Sequence, residues 1–219
     1  MAELRSEEEQ LDAIKQWWKQ NGTSLIAGVA LAAAGVFGWN AWQDYQANQA
    51  EAASMRYQQL LSLSGQEELD ESARARASEL VAEITDEHGD TLYADLALLI
   101  DARLAVGQSD LAAARNALEA VIDTSSRDYL QGLARLRLSR LQVAEGDAEA
   151  ALATLEAGVP EALAAQRANV RGDAHYAQGQ EDAARQAWEE ALTLAQERDQ
   201  PLYGVELKLD NLGHDEATL

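Results

Sequence analysis

The chain has 219 residues and no cysteine, which excludes disulfides, thiolate metal sites and cysteine nucleophiles. Its formal net charge of −21 at pH 7 repels phosphate backbones, so a nucleic-acid partner is not expected. The chain has only 2 Pro and is rich in Ala, Leu, Glu and Gln, a composition that favours helix over strand. We therefore predict an all-α protein.

The N-terminal part combines an acidic leader with a long uncharged run. Residues 20–43 carry no charged side chain, and at about 1.5 Å per residue they would span roughly 36 Å as a helix, enough to cross a bilayer. We predict a cytoplasmic leader over residues 1–22 and a single transmembrane helix over residues 23–42. A cleaved secretion signal is disfavoured because the leader is long and acidic, whereas signal leaders are short and basic.

Large polar and aromatic side chains flank the uncharged run at both ends. Tryptophan and lysine favour the boundary between lipid and water, where an apolar body and a polar tip are both accommodated. A core helix of a soluble protein has no reason for such flanks. The predicted membrane-interface residues are Trp17, Trp18, Lys19, Trp39 and Trp42.

The basic residues near the run predict its orientation. Arg5, Lys15 and Lys19 precede it, and none follows until Arg56. Lysine and arginine remain on the cytoplasmic side of a membrane helix, so the N-terminus is expected in the cytoplasm. The segment after the run, residues 43–64, lacks Pro and Gly and is predicted to continue as a helical extension.

From about residue 94 onward the chain repeats itself, and we predict a helical-repeat domain over residues 65–203. The pattern of LALLIDARLAVGQSDLAAARNALEAV, which begins at Leu96, recurs from Leu133 and again from Gln166. The two shifts, of 37 and 33 residues, are typical of repeats that are each a pair of antiparallel helices. Such a pair cannot bury its apolar face alone, so stacked repeats supply the core.

The aligned positions indicate how each helix pair packs. One small position marks where the two helices touch, a turn follows, and a stripe of three positions lies along the second helix. These positions are Ala102, Ser139 and Gly172 at the contact; Ser109, Gly146 and Gly179 at the turn; Ala114, Ala151 and Ala184, then Leu118, Leu155 and Trp188, then Val121, Gly158 and Ala191 along the stripe.

The pattern resembles the tetratricopeptide motif with some departures. Gly158 ends the second stripe, and Arg171 stands where an apolar residue is usual. A weaker copy with Ala77, Val81 and Ile84 is expected to precede the three repeats. Past Pro201, residues 204–219 are predicted to form a capping helix and a frayed tail.

Residue types that would carry catalysis are sparse. The three histidines, His88, His175 and His214, lie far apart and match no spaced ligand motif. His88 is expected near a helix C-terminus, and His175 on a first helix. Phosphate-binding loops and nucleophile elbows are missing from the sequence, so no catalytic residue, metal site or cofactor is predicted and the protein is not expected to be an enzyme.

The leader EEEQLDAIKQWWKQNG, the span ending in GWNAW and the segment YADLALLIDARLAVGQSDLAAARNALEAVI together resemble the YfgM-type ancillary subunits of the bacterial SecYEG translocon. The resemblance covers nearly the whole chain. It implies a single-pass inner-membrane protein with a cytoplasmic N-terminus and a periplasmic tetratricopeptide-like domain. It also implies association with the translocon and with a membrane-anchored periplasmic chaperone of the peptidyl-prolyl isomerase type, and help in passing secreted polypeptides to chaperones.

A second function remains open from the residues alone. An anchored scaffold or regulator of envelope assembly or stress signalling would have the same helix and repeats without touching translocating chains.

The first helices of such repeats line a concave groove, which is the expected protein-binding surface. Arg103 and Arg140 occupy equivalent positions in it, and either bind a partner's carboxylate or pair with neighbouring acids and only support the repeats. The predicted groove residues are Leu99, Arg103, Val106, Leu136, Arg140, Val143, Asn169, Asp173 and Tyr176.

Overall fold

The computed structural model describes residues 7–66 and 69–212, and within these ranges it contains helices and no strand. The predicted all-α class is confirmed. The outer leader, residues 1–6, and most of the predicted tail, residues 213–219, lie outside the described residues. In chain order the helices are α1 (Glu7–Ser64), α2 (Glu71–His88), α3 (Leu92–Gly107), α4 (Leu111–Thr124), α5 (Asp128–Ala144), α6 (Ala148–Glu156), a 3-10 turn (Glu161–Leu163), α7 (Ala164–Ala177), α8 (Glu181–Glu197) and α9 (Val205–Asn211).

The chain divides into two compact units, residues 1–51 and residues 52–219. In the first unit, α1 contains a stretch long and apolar enough to cross a membrane. Its apolar side chains are exposed, with Leu31 and Phe37 at 75% and 74%. A helix of a soluble core would bury these side chains, so their exposure favours a lipid environment.

The second unit is a stack of helix pairs in which each helix packs against the next along the chain. Aspartates start three of its helices. Asp70, Asp110 and Asp147 each accept a hydrogen bond from the backbone amide three residues later, which satisfies one of the free amides at the helix start. The sequence therefore fixes where α2, α4 and α6 begin.

The turns inside the repeats lie where the alignment put them. Gly146 and Gly179 adopt φ values of 86° and 72° between the helices of their repeats. Ser109 takes the equivalent place with φ 61°, a left-handed conformation that is unfavourable for a residue with a Cβ. The predicted turn positions are confirmed, and the first repeat makes the turn without glycine.

The small contact positions are also confirmed. Ala102 and Ser139 are buried between their helices. Gly172 lies directly under the Trp188 ring, where an added Cβ would come within 2.4 Å of two ring atoms. Trp188 is therefore a core residue, as the repeat pattern predicted.

The second repeat departs from the aligned stripe. Helix α6 ends at Glu156, and Gly158 has φ 115°, so Gly158 lies in the following loop and not on the helix face. Buried Val159 and Leu163 fill the space against Leu136. The stripe ends early because a left-handed residue cannot continue an α-helix.

The weaker preceding repeat is present. Ala77, Val81 and Ile84 of α2 are buried with Leu60 near the end of α1 and with residues of α3. The part of α1 from residue 52 onward thus supplies the first helix of this pair.

Candidate protein-binding face

The nine predicted groove residues lie on α3, α5 and α7, and they differ in exposure. Leu99, Leu136 and Asn169 are only 4%, 1% and 7% exposed, so they belong to the core. The expectation that these three side chains present surface to a partner does not hold, because Leu99 and Leu136 lie in core clusters and Asn169 is hydrogen-bonded by Lys208. Half-buried or exposed side chains remain at the other six positions: Arg103, Val106, Arg140, Val143, Asp173 and Tyr176.

At the third repeat, the chain covers its own face. Lys208 of α9 donates hydrogen bonds to Asn169 Oδ1, at 2.8 Å, and to Asp173 Oδ1, at 2.5 Å. The same carboxylate accepts a hydrogen bond from Trp188 Nε1 at 3.0 Å. Sequence reasoning missed this contact because Lys208 lies in the predicted cap. The available clue was that Lys208 is the single lysine beyond the uncharged run.

At the first repeat, Arg103 caps the C-terminal end of α1. Its Nη2 donates a hydrogen bond to the carbonyl oxygen of Ser64 at 3.0 Å, and Ser64 is the last residue of α1. The last turn of α1 has no basic residue of its own. A cation at this position offsets the partial negative charge of the helix end, so Arg103 stabilises the junction between α1 and α3.

A third arginine, Arg137, lies between the two predicted ones. Its Nη1 donates a hydrogen bond to the carbonyl oxygen of Leu99 at 3.1 Å, which links α5 to α3. Burial, followed by the charges of Arg140 and Arg103, lowers the pKa of the Arg137 guanidinium below its usual value. The alignment gave no reason to select Arg137, because the matching residues Ile100 and Val170 are apolar.

None of these three arginines has an ion-pair partner within residues 7–66 and 69–212. Elsewhere on the repeats, by contrast, Arg115 pairs with Glu145 and Arg171 with Glu190. The expectation that Arg103 and Arg140 pair with neighbouring acids is therefore wrong for this part of the chain. Arg103 supports the fold through a backbone carbonyl, and the exposed Arg140 does not support it through any described contact.

Beside Arg103 the surface has a depression of about 720 Å³. Its lining includes Ser64, Asp70, Arg74 and Gln108 along with Arg103. The lining is largely polar and carries two guanidinium groups. It can therefore accept polar or anionic side chains from a partner.

The histidines have structural surroundings. His88 is the last residue of α2, as predicted, and it is buried with its Nε2 2.9 Å from Arg56 Nη1. Arg56 also pairs with Glu83 and Glu87, so this network ties α1 to α2. In the ranges that the structure covers, no three His, Asp or Glu side chains converge to hold a metal ion.

Known proteins resemble this chain over nearly its whole length. A family model described as a tetratricopeptide repeat-like domain matches residues 15–214. The ancillary SecYEG translocon subunit of Haemophilus influenzae is 32% identical, over 97% of this chain and 100% of the relative. The chain belongs to this family of ancillary translocon subunits.

Other members of the ancillary-subunit family give the same result. The protein of that name from Escherichia coli is 32% identical over 84% of this chain and 86% of the relative. The one from Aggregatibacter actinomycetemcomitans is 32% identical over 97% of this chain and 100% of the relative. No solved structure matches the chain significantly.

The similarity to the ancillary-subunit family includes the apolar helix. The family model begins at residue 15, before the uncharged run, and continues through the repeats. The flanking residues Trp17, Trp18, Trp39 and Trp42 are all about half exposed on α1, and Lys19 is exposed as well. Their role at the membrane interface stays a prediction.

Proposed function

We propose that this chain is an inner-membrane adaptor that works beside the SecYEG translocon and helps pass secreted polypeptides to periplasmic chaperones. The observation that carries the proposal is the similarity to ancillary translocon subunits over 97% of the chain, which takes in both the apolar helix and the repeats. Tetratricopeptide-like stacks act as binding scaffolds, which favours an adaptor without catalytic activity. The proposed partners are SecYEG, a membrane-anchored chaperone of the peptidyl-prolyl isomerase type, and translocating chains.

The proposed topology has the leader in the cytoplasm and the repeats in the periplasm. Its support is the charge distribution, since Lys15 and Lys19 precede the apolar stretch and the next basic residue is Arg56. An adaptor in this orientation would hold its repeats on the side where secreted chains emerge.

The proposed binding surface is the part of the predicted groove face that α9 leaves open. It consists of Arg103 and Val106 on α3 with Arg140 and Val143 on α5. Val106 is 49% exposed, and Val143 is half-buried. Cations beside aliphatic side chains that are at least partly exposed suit a protein partner that offers both acids and apolar residues.

Co-purification tests the proposed function. The full chain, tagged at its C-terminus and extracted in an uncharged detergent, is expected to bring down SecYEG subunits and the anchored chaperone. An unrelated single-span protein with the same tag serves as the control. Recovery of SecYEG no greater than with that control would contradict the proposal and favour the anchored scaffold or regulator.

A further inference from the structure

Arg103, Arg137 and Arg140, here called the arginine cluster, bring three guanidinium groups together on α3 and α5. Arg137 is fixed against α3 by its 3.1 Å hydrogen bond to the Leu99 carbonyl, one helical turn before Arg103. Arg140 lies one turn after Arg137 on α5, with its side chain exposed. Arg140 also repeats the position of Arg103 in the next helix pair. The repeat geometry therefore positions Arg103 and Arg140, and the hydrogen bond to Leu99 positions Arg137.

The cluster is unusual for a chain with 38 acidic and 17 basic residues. Carboxylates are abundant, and arginines elsewhere on the repeats pair with them, as Arg127 does with Asp95 and Arg171 with Glu190. Within the described ranges, Arg103 and Arg137 donate hydrogen bonds to backbone carbonyls, and none of the three guanidinium groups forms an ion pair. Their mutual repulsion and the burial of Arg137 both oppose the charged state of Arg137. A ligand carboxylate would offset both effects by favouring the charged guanidinium.

We propose that the arginine cluster binds carboxylate side chains of an acidic, extended segment in a partner protein. This inference rests on the proposed adaptor function and assigns a chemical class to the segment that the adaptor recognises. Guanidinium groups hold carboxylates through paired hydrogen bonds, which gives both strength and orientation. Val106 and Val143 adjoin the cluster on the same two helices and would contact apolar residues between the acids.

The charge of the rest of the chain favours a short peptide over a larger polyanion. A nucleic acid or an anionic membrane would bring many negative charges against a protein of net charge −21. A short acidic segment brings few negative charges, and at physiological salt its repulsion by carboxylates more than about 8 Å away is largely screened. The depression beside Arg103 leaves room for a side chain of such a segment.

Fluorescence anisotropy tests the proposal on the full chain in uncharged detergent. The probe is a labelled peptide of alternating Asp and Leu residues, and its control peptide has Asn at every Asp. The parent is expected to bind the acidic peptide at least tenfold more tightly than the Asn peptide. The double variant Arg137→Gln/Arg140→Gln is expected to bind the acidic peptide at least tenfold more weakly than the parent.

The matched control is Arg171→Gln, which removes an arginine that is already paired with Glu190. Its affinity for the acidic peptide should be within about twofold of the parent's, because Arg171 is not part of the arginine cluster and an exposed ion pair contributes little. The single variant Arg140→Gln guards against misfolding, since the exposed Arg140 makes no described hydrogen bond. It should melt no lower than the parent and still bind the acidic peptide more weakly.

Equal affinity of the parent for the Asp and Asn peptides would overturn the inference. Equal loss of binding in Arg171→Gln and in the double variant would overturn it as well. So would binding to phosphatidylglycerol vesicles that depends on the cluster and exceeds binding to the peptide, which would assign the site to a membrane. The proposed function fails separately, because it requires SecYEG recovery by the parent chain whether or not the peptide binds.

Discussion

Lys208 of α9 and Asp173 of α7 form an ion pair at the repeat position that Arg103 and Arg140 occupy in the two preceding repeats. This position is thus a cation, Arg103 or Arg140, in the two preceding repeats. In the third repeat it is an anion, Asp173, whose charge is neutralised by Lys208 of the same chain. Lys208 also lies 5.6 Å from the centre of the Trp188 ring, so its ammonium group has attractive contacts with both side chains. The C-terminal helix therefore closes one end of the predicted groove face and leaves the arginine end open.

Replacing Lys208 tests this closure. Lys208→Gln is expected to lower the free energy of unfolding by about 1 kcal/mol, because the partly buried Asp173 loses a charged partner and α9 loses its polar link to α7. For a unit of this size, that corresponds to a fall of roughly 2–4 °C in melting temperature. Circular dichroism on the full chain provides the measurement.

The control for this prediction lies on the same helix. Glu206→Gln changes an exposed side chain of α9 and should melt within about 1 °C of the parent, since it removes no described contact. Equal melting of the Lys208 variant and the parent would show that α9 is held by its apolar contacts alone.

The contact of Gly172 with Trp188 gives a second prediction. Gly172→Ala places a methyl group within 2.4 Å of the indole, so the ring or the helix must move. Overpacking of this kind typically costs about 1–3 kcal/mol. Gly107→Ala is the control, because a Cβ added at Gly107 meets nothing within 4 Å. Thermal melts should separate the two variants by several degrees, and similar melts would mean that Trp188 can move away freely.

Much of the fold follows from the repeat pattern. Small residues at Ala102 and Ser139 and left-handed turns at Gly146 and Gly179 are local requirements of a helix pair, so sequence periodicity reveals them. Contacts between distant segments are not local. The hydrogen bond from Arg103 to Ser64 and the reach of Lys208 to Asp173 each join residues more than thirty positions apart.

The candidate site was predicted only in part, for a related reason. The alignment identifies which helix face a residue occupies but not how much neighbouring helices cover it, so Leu99 and Leu136 were assigned to the groove although they are buried. The alignment also compares the repeats one by one and carries no information about contacts between neighbouring repeats. Arg137 aligns with Ile100, an apolar residue, and only the packing of α5 on α3 brings its guanidinium to the Leu99 carbonyl.

Asp101 provides a pH-dependent prediction. Burial raises the pKa of the Asp101 carboxyl above its ordinary value of 3.8. The folded chain therefore holds this proton more tightly than the unfolded chain, and the contribution of Asp101 to stability declines as pH rises above 3.8. Asp101→Asn removes the free-energy cost of keeping a partly buried carboxylate ionised. The variant should therefore melt at a higher temperature than the parent at pH 7.

The gain should shrink as the pH is lowered and vanish below pH 3.8, where the parent's carboxyl is also neutral. Glu119→Gln, a change at an exposed side chain of α4, controls for the loss of one negative charge. Thermal melts recorded across this pH range check the sign of the stability difference between Asp101→Asn and the parent. A variant that is less stable than the parent at pH 7 would contradict a raised pKa of the Asp101 carboxyl.

Single cysteines test the proposed topology without background, because the chain has no native cysteine. Ser126 is exposed between α4 and α5, and Ala13 is exposed in the leader. The two test variants are Ser126→Cys and Ala13→Cys. A thiol reagent that does not cross the inner membrane should label Ser126→Cys in intact spheroplasts and label Ala13→Cys only after lysis. The reverse labelling would place the repeats in the cytoplasm.

Site-specific photocrosslinking from Val106 tests the adaptor account most directly. Val106 is 49% exposed on α3 beside the arginine cluster, and Asn116, exposed on α4, supplies a control position on a second helix. A photoreactive residue at Val106 in living cells is expected to crosslink to translocon subunits, the anchored chaperone or a secreted polypeptide, and the same residue at Asn116 is not. Crosslinking that is equal at the two positions, or absent at Val106 while SecYEG still co-purifies, would contradict the assignment of protein binding to this face.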